Sequence, residues 1–370
     1  MKAVSPWWKI KVEELIDSPS LAVYVDRVEQ NIVNALKIQP DRNLFRPHVK
    51  TSKMPGVQKL VMKHGVRKFK CSTIAEAEML KKVKTPDVLL AYQPSGPKIQ
   101  RFLKLTTVYP ETEFSCLIDN APTASIISSA FRKVRSTANI YIDVNNGMNR
   151  TGAAVKDIVQ LFQTIRELKG LRVRGLHIYD GHITDSSIRE RIRRVRADFA
   201  EVDAIFEALN DEGRGELVMI AGGTPSFPVH AKRKNVECSP GTFVFWDEGY
   251  GHLYPEMPYQ PAALVLTRVV SVISKDLLCL DLGYKSVASE KPMPRVKFLN
   301  EPSAVPLHQS EEHLVVKIRD AHRFSAGDLW YGVPTHICPT VALYDQALLI
   351  SKGEPSGEWP VTARKRKISI

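Results

Sequence analysis

Two short segments carry the side chains best suited to chemistry: Arg46-Pro47-His48-Val49-Lys50-Thr51 near the start of the chain and Thr335-His336-Ile337-Cys338-Pro339-Thr340 near its end. The first offers an amine. Lys50 stands in a crowd of Arg46, His48 and Lys53, and neighbouring cations disfavour its charge and lower its pKa. A lysine tuned in this way forms a Schiff base with an aldehyde at neutral pH; the same basic run also reads as a solvated loop. The second segment offers two soft metal ligands. His336 and Cys338 are two residues apart, so an extended backbone points both side chains to one face. Thiolate with imidazole favours zinc, with manganese or magnesium as the other candidates. A buried cysteine hydrogen-bonded to a histidine is the structural reading of the same pair.

Further groups lie between these two. Gly222-Gly223-Thr224 reads as a phosphate cradle, because glycines allow close backbone approach and exposed N–H groups with a threonine hydroxyl suit a dianion; otherwise a Gly-Gly pair is a turn. His177 and Tyr179 alternate at a strand end, so both are expected to face one mouth, where an aromatic can touch a bound ring. His182 is a candidate general base or a solvated loop histidine.

The elements that must hold these residues alternate through the first two thirds of the chain. Strands are expected over 21–25, 43–45, 69–72, 87–91, 113–118, 139–144, 173–177 and 216–221, and helices over 28–38, 74–83, 98–108, 122–134, 155–168 and 188–209. Strand followed by helix, repeated, is the pattern of a closed parallel barrel or a doubly wound sheet, an α/β fold. In a TIM barrel the loops after the strands open on one face. The loops after residues 71, 144, 177 and 221 would then converge. Beyond about residue 245 the texture changes to strands without long helices, punctuated by prolines and glycines, which argues for an all-β second domain. The expected division is a barrel over 18–245 and a β domain over 246–370, joined by 1–17.

Composition narrows the class. The chain has 370 residues, 44% of them hydrophobic, and a formal charge of +12. The apolar runs 261–266 and 269–273 are strand length, and the segment Met1-Lys2-Ala3-Val4-Ser5-Pro6-Trp7-Trp8 lacks the apolar core of a signal peptide, so a cytoplasmic protein with no membrane association is expected. Five scattered cysteines suit a reducing compartment. The arginines at 189, 191, 193, 194 and 196 share a helix with Ile188, Ile192, Val195 and Phe199 at helical spacing and read as a solvated face. No aromatic stacking platform accompanies them or the basic run Arg364-Lys365-Arg366-Lys367, so no nucleic-acid partner is expected. A basic surface instead draws in small anions.

With these motifs in order, the chain resembles the alanine racemase-type (fold type III) pyridoxal-phosphate enzymes, and among them the D-threonine aldolase and D-serine dehydratase family. The resemblance runs from Ser18-Pro19-Ser20-Leu21 to His336-Ile337-Cys338 and rests also on the Lys50 segment, Gly147-Met148-Asn149-Arg150-Thr151-Gly152 and Ala221-Gly222-Gly223-Thr224-Pro225. It implies a TIM (β/α)8 barrel plus a C-terminal β domain. Lys50 would hold pyridoxal phosphate covalently, Arg150 would lie near the phenolic oxygen of its ring, and an aromatic within 243–250 would complete the ring pocket. The resemblance further implies a lyase for D-3-hydroxy amino acids, either an aldolase or a dehydratase, working with a divalent metal as a homodimer. In the family a His-x-Cys pair marks the dehydratase branch and a His-x-Asp pair the aldolase branch; this chain has the cysteine.

Two departures stand out. Relatives commonly read Thr-His-Lys where this chain has Thr51-Ser52-Lys53, and they carry a glutamine near Ser72 and Thr73. Two rival readings remain. An amino-acid racemase would need a second acid/base, for which Tyr284, Tyr331 and Tyr344 are candidates. A non-catalytic pyridoxal-phosphate carrier would not need the β domain.

Overall fold

Parallel strands covered on both faces read as near-continuous apolar runs, and runs such as Asp87-Val88-Leu89-Leu90 form such strands here. The protein, described by a computed structural model over residues 6–212 and 216–370, divides into two units. One holds residues 35–50, 58–241 and 365–370, the other 6–34, 51–57 and 242–364. In chain order the strands are β1 (Ser20–Tyr24), β2 (Lys68–Cys71), β3 (Asp87–Leu90), β4 (Glu113–Ile118), β5 (Ala138–Asn145), β6 (Ala153–Ala154), β7 (Leu171–Ile178), β8 (Val218–Ala221) and β9 (Val236–Cys238). There follow β10 (Ala263–Ser274), β11 (Leu277–Leu280), β12 (Val296–Phe298), β13 (Val305–Gln309), β14 (Leu314–Lys317), β15 (Leu329–Pro334), β16 (Gln346–Ser351) and β17 (Glu354–Pro360).

The α/β unit is a parallel sheet in the order β2-β3-β4-β5-β7-β8-β9, with the short β6 beside β5. Its two edges are bridged by the segment 45–49. Arg46 N–H donates to Cys238 O and His48 N–H to Pro240 O on one side, while Lys70 N–H donates to Pro47 O and Val49 N–H to Lys70 O on the other, all at 2.9 Å. This segment takes the eighth position of a TIM-like barrel. Pro47 has no N–H to donate, and the segment forms isolated bridges rather than a ladder. Of the strand expected over 43–45, residues 43 and 44 lie in a 3-10 turn, Arg42–Leu44, capped by Asp41, and only Phe45 makes a bridge, to Cys238.

The strand expected over 21–25 exists but belongs elsewhere. β1 pairs antiparallel with β10 and parallel with β16, in the second sheet. Its four consecutive buried residues, Leu21 to Tyr24, are what a barrel strand would also show, so burial alone could not assign it. The tail 365–370 goes with the barrel: Glu78 accepts the N–H groups of Ser369 and Ile370 at 3.1 and 3.3 Å. The units therefore divide the chain differently from the expected 18–245 and 246–370; of the segment 1–17, residues 1–5 lie outside the described residues.

Side chains alternate across a strand, and the inward-facing set of the barrel is layered. Near the N-terminal ends of the strands Arg46, 1% exposed, donates to Glu237 at 2.5 Å and to both oxygens of Asp87 at 2.5 and 2.9 Å, with Lys68 also on Glu237. Above it Leu89, Leu117, Tyr141 and Ile220 form an apolar layer. Helices cover the outside, started by side-chain caps such as Thr73 Oγ1 accepting from Glu76 N–H and Asn120 Oδ1 from Thr123 N–H. One expectation for the helix Ile188–Glu212 fails: Arg191 is fully buried and donates to the carbonyls of Asp185 and Ser186, satisfying groups before the helix start rather than facing solvent.

The second unit is a largely antiparallel sheet in the order β13-β14-β11-β10-β1-β16-β17, with β15 pairing β10 and β12. Along β10, Leu264 and Leu266 pack on one face with Tyr24 and Tyr331, while Val265 and Val269 pack on the other with Phe298 and Trp330. Both faces are thus buried. Within 243–250, where one aromatic was expected to complete a ring pocket, Trp246 packs against Tyr259 and Tyr250 against Tyr254. No helix among the described residues is long and apolar enough to cross a membrane.

Candidate active site

The barrel's closing segment ends in Lys50, whose backbone N–H donates to His48 Nδ1 at 3.2 Å. Its ammonium lies 5.5 Å from the centroid of the Tyr179 ring. Lys70 approaches the same ring at 5.8 Å and the Arg150 guanidinium at 4.9 Å. Three cations thus converge on one aromatic just beyond the end of β7. The crowd expected around Lys50 is different in membership: Arg46 is consumed by Glu237 and Asp87, and the amine that shares the Tyr179 ring with Lys50 is Lys70.

Lys70, on β2, is buried and its Nζ lies 3.0 Å from His177 Nε2. His177 Nδ1 lies 2.7 Å from Asp143 Oδ1, and Thr151 donates to Asp143 Oδ2 at 2.8 Å. Burial, and then the charge of Lys50, bring the Lys70 amine down to about 7. Burial and Lys70 likewise push His177 down. Burial raises the Asp143 carboxyl, but the His177 hydrogen bond outweighs it and holds the group below the ordinary carboxylate range. With an ionised Asp143 accepting from Nδ1–H, His177 Nε2 presents a lone pair to Lys70. His177 accordingly points into the barrel, and Tyr179, one residue past the strand, carries the contact with Lys50 and Arg150.

The glycine loop after β8 departs from the expected cradle in detail. Gly222 has φ +81°, and a Cβ there would fall 2.6 Å from the His230 ring. Its N–H donates to Ile178 O at 3.1 Å, and that of Gly223 to Ser226 Oγ at 3.2 Å, so both already have protein partners. The Thr224 hydroxyl accepts from Gly241 N–H at 3.0 Å, tying this loop to the one after β9. Beneath it Asp180 binds Ser226 Oγ and His230 Nε2, each at 2.8 Å. Burial raises Asp180, yet the charge and hydrogen bond of His230 keep it ionised, below its usual range.

His182 Nε2 lies 3.0 Å from Asp198 Oδ2. Its Nδ1 is buried with no hydrogen-bond partner among the described residues. A carboxylate on one nitrogen and a free lone pair on the other is the arrangement of a general base. Ser72 and Thr73 serve the local fold: Ser72 N–H donates to Glu76 at 2.7 Å, and Thr73 caps the helix Ile74–Lys82.

In the antiparallel unit the metal-ligand pair is not on an extended segment. His336 is extended, but Cys338 lies inside the helical turn Ile337–Val341. The two side chains still meet in a hydrogen bond. Burial raises the Cys338 thiol, but His336 and the hydroxyls around it bring it below its ordinary value; Thr51 and Thr242 lie 3.2 and 3.5 Å from its sulfur. Burial lowers His336, but Cys338 and Glu290 carry it to about 9. Its Nδ1 is paired with Glu290, the carboxylate partner typical of a metal-binding imidazole. Two ligands of the right chemistry are present, and among the described residues no third His, Cys, Asp or Glu joins them. The described residues thus supply two such side chains, one fewer than the three protein ligands of the usual catalytic zinc site.

The barrel mouth also fits a ligand rich in polar atoms. Ser239 Oγ, both amide atoms of Asn146 and His182 Nδ1 are buried without a hydrogen-bond partner among the described residues, in loops following β9, β5 and β7. Buried polar groups are otherwise almost always satisfied. With Lys50, Lys70 and Arg150 they suit an anionic aromatic aldehyde such as pyridoxal phosphate. The sequence reading missed Lys70, Asp143, Asp180, Ser239 and Glu290. One signal existed for Lys70: in a barrel strand whose outer face is covered, a lysine two residues from another must face the interior.

Comparison with known proteins bears on the family and the fold. The family model "Alanine racemase, N-terminal domain" matches residues 23–248, and the model "Putative serine dehydratase domain" matches 262–350. A D-threonine aldolase of Arthrobacter sp is 27% identical over 358 residues, covering 94% of this chain and 93% of its own. The crystal structure of a D-threonine aldolase from Filomicrobium marinum superposes with TM-score 0.87 at 24% identity, over 98% of this chain and 99% of its own. The D-threo-3-hydroxyaspartate dehydratase from Delftia sp. HT23 does so with TM-score 0.82 at 21% identity, over 94% and 98%.

Proposed function

We propose, for a chain that belongs to the alanine racemase N-terminal domain family, a pyridoxal-phosphate-dependent lyase that acts on D-3-hydroxy amino acids with the help of a divalent metal. The observation that carries the reading is the convergence of Lys50, Lys70 and Arg150 on Tyr179, supported by buried polar atoms in the loops after β5, β7 and β9 that have no hydrogen-bond partner among the described residues. Its relatives' names supply the substrate class: D-threonine and 3-hydroxy-D-aspartate for the aldolases.

When bound, pyridoxal phosphate supplies the carbonyl that takes up the substrate amine and the electron sink for cleavage at its α-carbon. Lys50 would hold it, with Arg150 and Tyr179 at the ring, and Gly222, Gly223 and Thr224 near the phosphate. A metal at His336 and Cys338, zinc by donor chemistry, supplies a Lewis acid for a hydroxyl.

The chain's own residues divide the remaining work. Asp180 and His230 hold the Gly222–Thr224 loop rigid from below. Asp198 orients His182 so that Nδ1 can take a proton at the barrel mouth. Removal of the substrate's hydroxyl proton leads to aldol cleavage, and removal of the α-proton leads to loss of water and ammonia. Cys338 favours the second outcome by its resemblance to the dehydratase branch. A racemase is disfavoured because two of its three candidate tyrosines are engaged: Tyr331 O–H donates to Glu13 and accepts from Ile10 N–H, and Tyr344 O–H donates to Ser286 O at 2.7 Å.

The test is an absorbance spectrum with metal analysis of the purified protein. A band at roughly 410–420 nm, where this cofactor absorbs when linked to lysine, that vanishes in Lys50→Ala supports the reading. A colourless, metal-free protein that takes up neither on incubation refutes it.

A further inference from the structure

Lys70 lines the proposed cofactor pocket but is given no covalent or proton-transfer step in the reaction just described, and it is buried in the barrel. A buried lysine is rare unless paired with an acid, and Lys70 is paired instead with an imidazole that is itself held by a carboxylate: Nζ to His177 Nε2 at 3.0 Å, His177 Nδ1 to Asp143 at 2.7 Å. A nucleophile within hydrogen-bond reach of a base, the base oriented by a third group, is the signature of an activated nucleophile.

We propose that Lys70 is a second reactive amine of this pocket, activated by His177 and Asp143, that bonds small aldehydes independently of Lys50. Aldehydes are the class of product that aldol cleavage releases, so the inference rests on the proposed function for its biological occasion but not for its chemistry. The position also favours it. Lys70 and Lys50 lie at 5.8 and 5.5 Å from one ring centroid, so a molecule reaching Lys50 is at the door of Lys70. Burial and the neighbouring Lys50 charge keep an appreciable fraction of the Lys70 amine uncharged at neutral pH.

The step balances without a further reactant. The Nζ lone pair attacks the carbonyl carbon and the C=O electron pair moves to oxygen, which is protonated. Both Nζ protons pass to that oxygen by way of His177 Nε2, which takes each in turn and gives it up, so that water leaves and an imine remains. Asp143 stabilises the transient imidazolium through Nδ1–H, as in other base-orienting triads.

The experiment is reductive trapping. The full-length protein is incubated near neutral pH with glyoxylate and cyanoborohydride, and the lysines that acquire a carboxymethyl group are found by peptide mass spectrometry. Lys70 should be labelled at least about tenfold faster than exposed lysines such as Lys82, because the uncharged fraction of an ordinary lysine is on the order of a thousandth at that pH. Labelling should persist in Lys50→Ala and fall in Asp143→Asn. No faster labelling at Lys70 than at Lys82 overturns the proposal, and equal labelling in Asp143→Asn overturns the part assigned to the relay. Trapping of pyridoxal phosphate at Lys50 with borohydride, run in parallel, tests the proposed function separately.

Discussion

The buried Lys70 should make the folded protein less stable than its packing allows, and the amount can be worked out. An ordinary lysine has a pKa near 10.4, whereas burial and Lys50 bring this one to about 7. Below about pH 7 the amine is protonated in both states and the folded state carries the full penalty, about 4–5 kcal/mol at about 1.4 kcal/mol per unit. Between pH 7 and about 10 the unfolded chain binds a proton that the folded chain does not. Unfolding free energy should then rise by about 1.4 kcal/mol per pH unit from this group alone, as the penalty fades. Lys70→Met removes the charge at similar length. It forfeits the hydrogen bond to His177, worth about 1 kcal/mol, and should leave a net gain of about 3 kcal/mol at pH 7 or below. The assay is urea unfolding of wild type and variant at pH 6, 8 and 9.5. The gap between them should close as pH rises; a gap that is constant with pH, or a destabilised variant at pH 6, would refute the reasoning.

Other expectations follow from the same geometry. His230→Ala strips the fully buried Asp180 of its partner and should cost about 3–5 kcal/mol in urea unfolding. Glu290→Gln weakens the support behind His336, and equilibrium dialysis should show about 10–100-fold weaker metal binding. Asp198→Asn leaves His182 in place without its orienting carboxylate; kcat should fall by roughly 10²–10⁴ with little change in KM. Gly223→Ala places a methyl group 3.1 Å from Tyr179 Cε2, and a fluorescence titration should show weakened pyridoxal-phosphate binding.

Much of the architecture was legible because the outer helices and buried strands of a barrel impose strong periodicities. The strands from 69 to 221 and the change of texture near 245 follow from pattern alone. The first strand did not, because Leu21-Ala22-Val23-Tyr24 is equally apolar in either sheet, and the true closing segment contains Pro47 and shows no periodicity. Lys50, Arg150, Tyr179 and His182, which remain proposed site residues, stand in segments that their motifs singled out. Lys70 was hidden because Lys68-Phe69-Lys70-Cys71 resembles an exposed strand, where alternating lysines face water; only the helices outside the barrel turn them inward. Asp143 and Glu290 owe their positions to partners 34 and 46 residues away, distances at which sequence spacing carries no geometric information. The expected metal pair rested on an extended i, i+2 geometry that the structure does not have: His336 precedes the helical turn Ile337–Val341 and Cys338 lies inside it.

The most direct test of the central claim is product analysis. The protein supplied with pyridoxal phosphate and zinc is incubated with D-threonine and with 3-hydroxy-D-aspartate, and the products are identified by mass spectrometry. The account predicts glycine with an aldehyde, or a 2-oxo acid with ammonia, formed from the D-substrates and lost in Lys50→Ala and His336→Ala. Conversion of the D- to the L-amino acid with no carbon–carbon or carbon–oxygen cleavage, undiminished in His336→Ala, would contradict it.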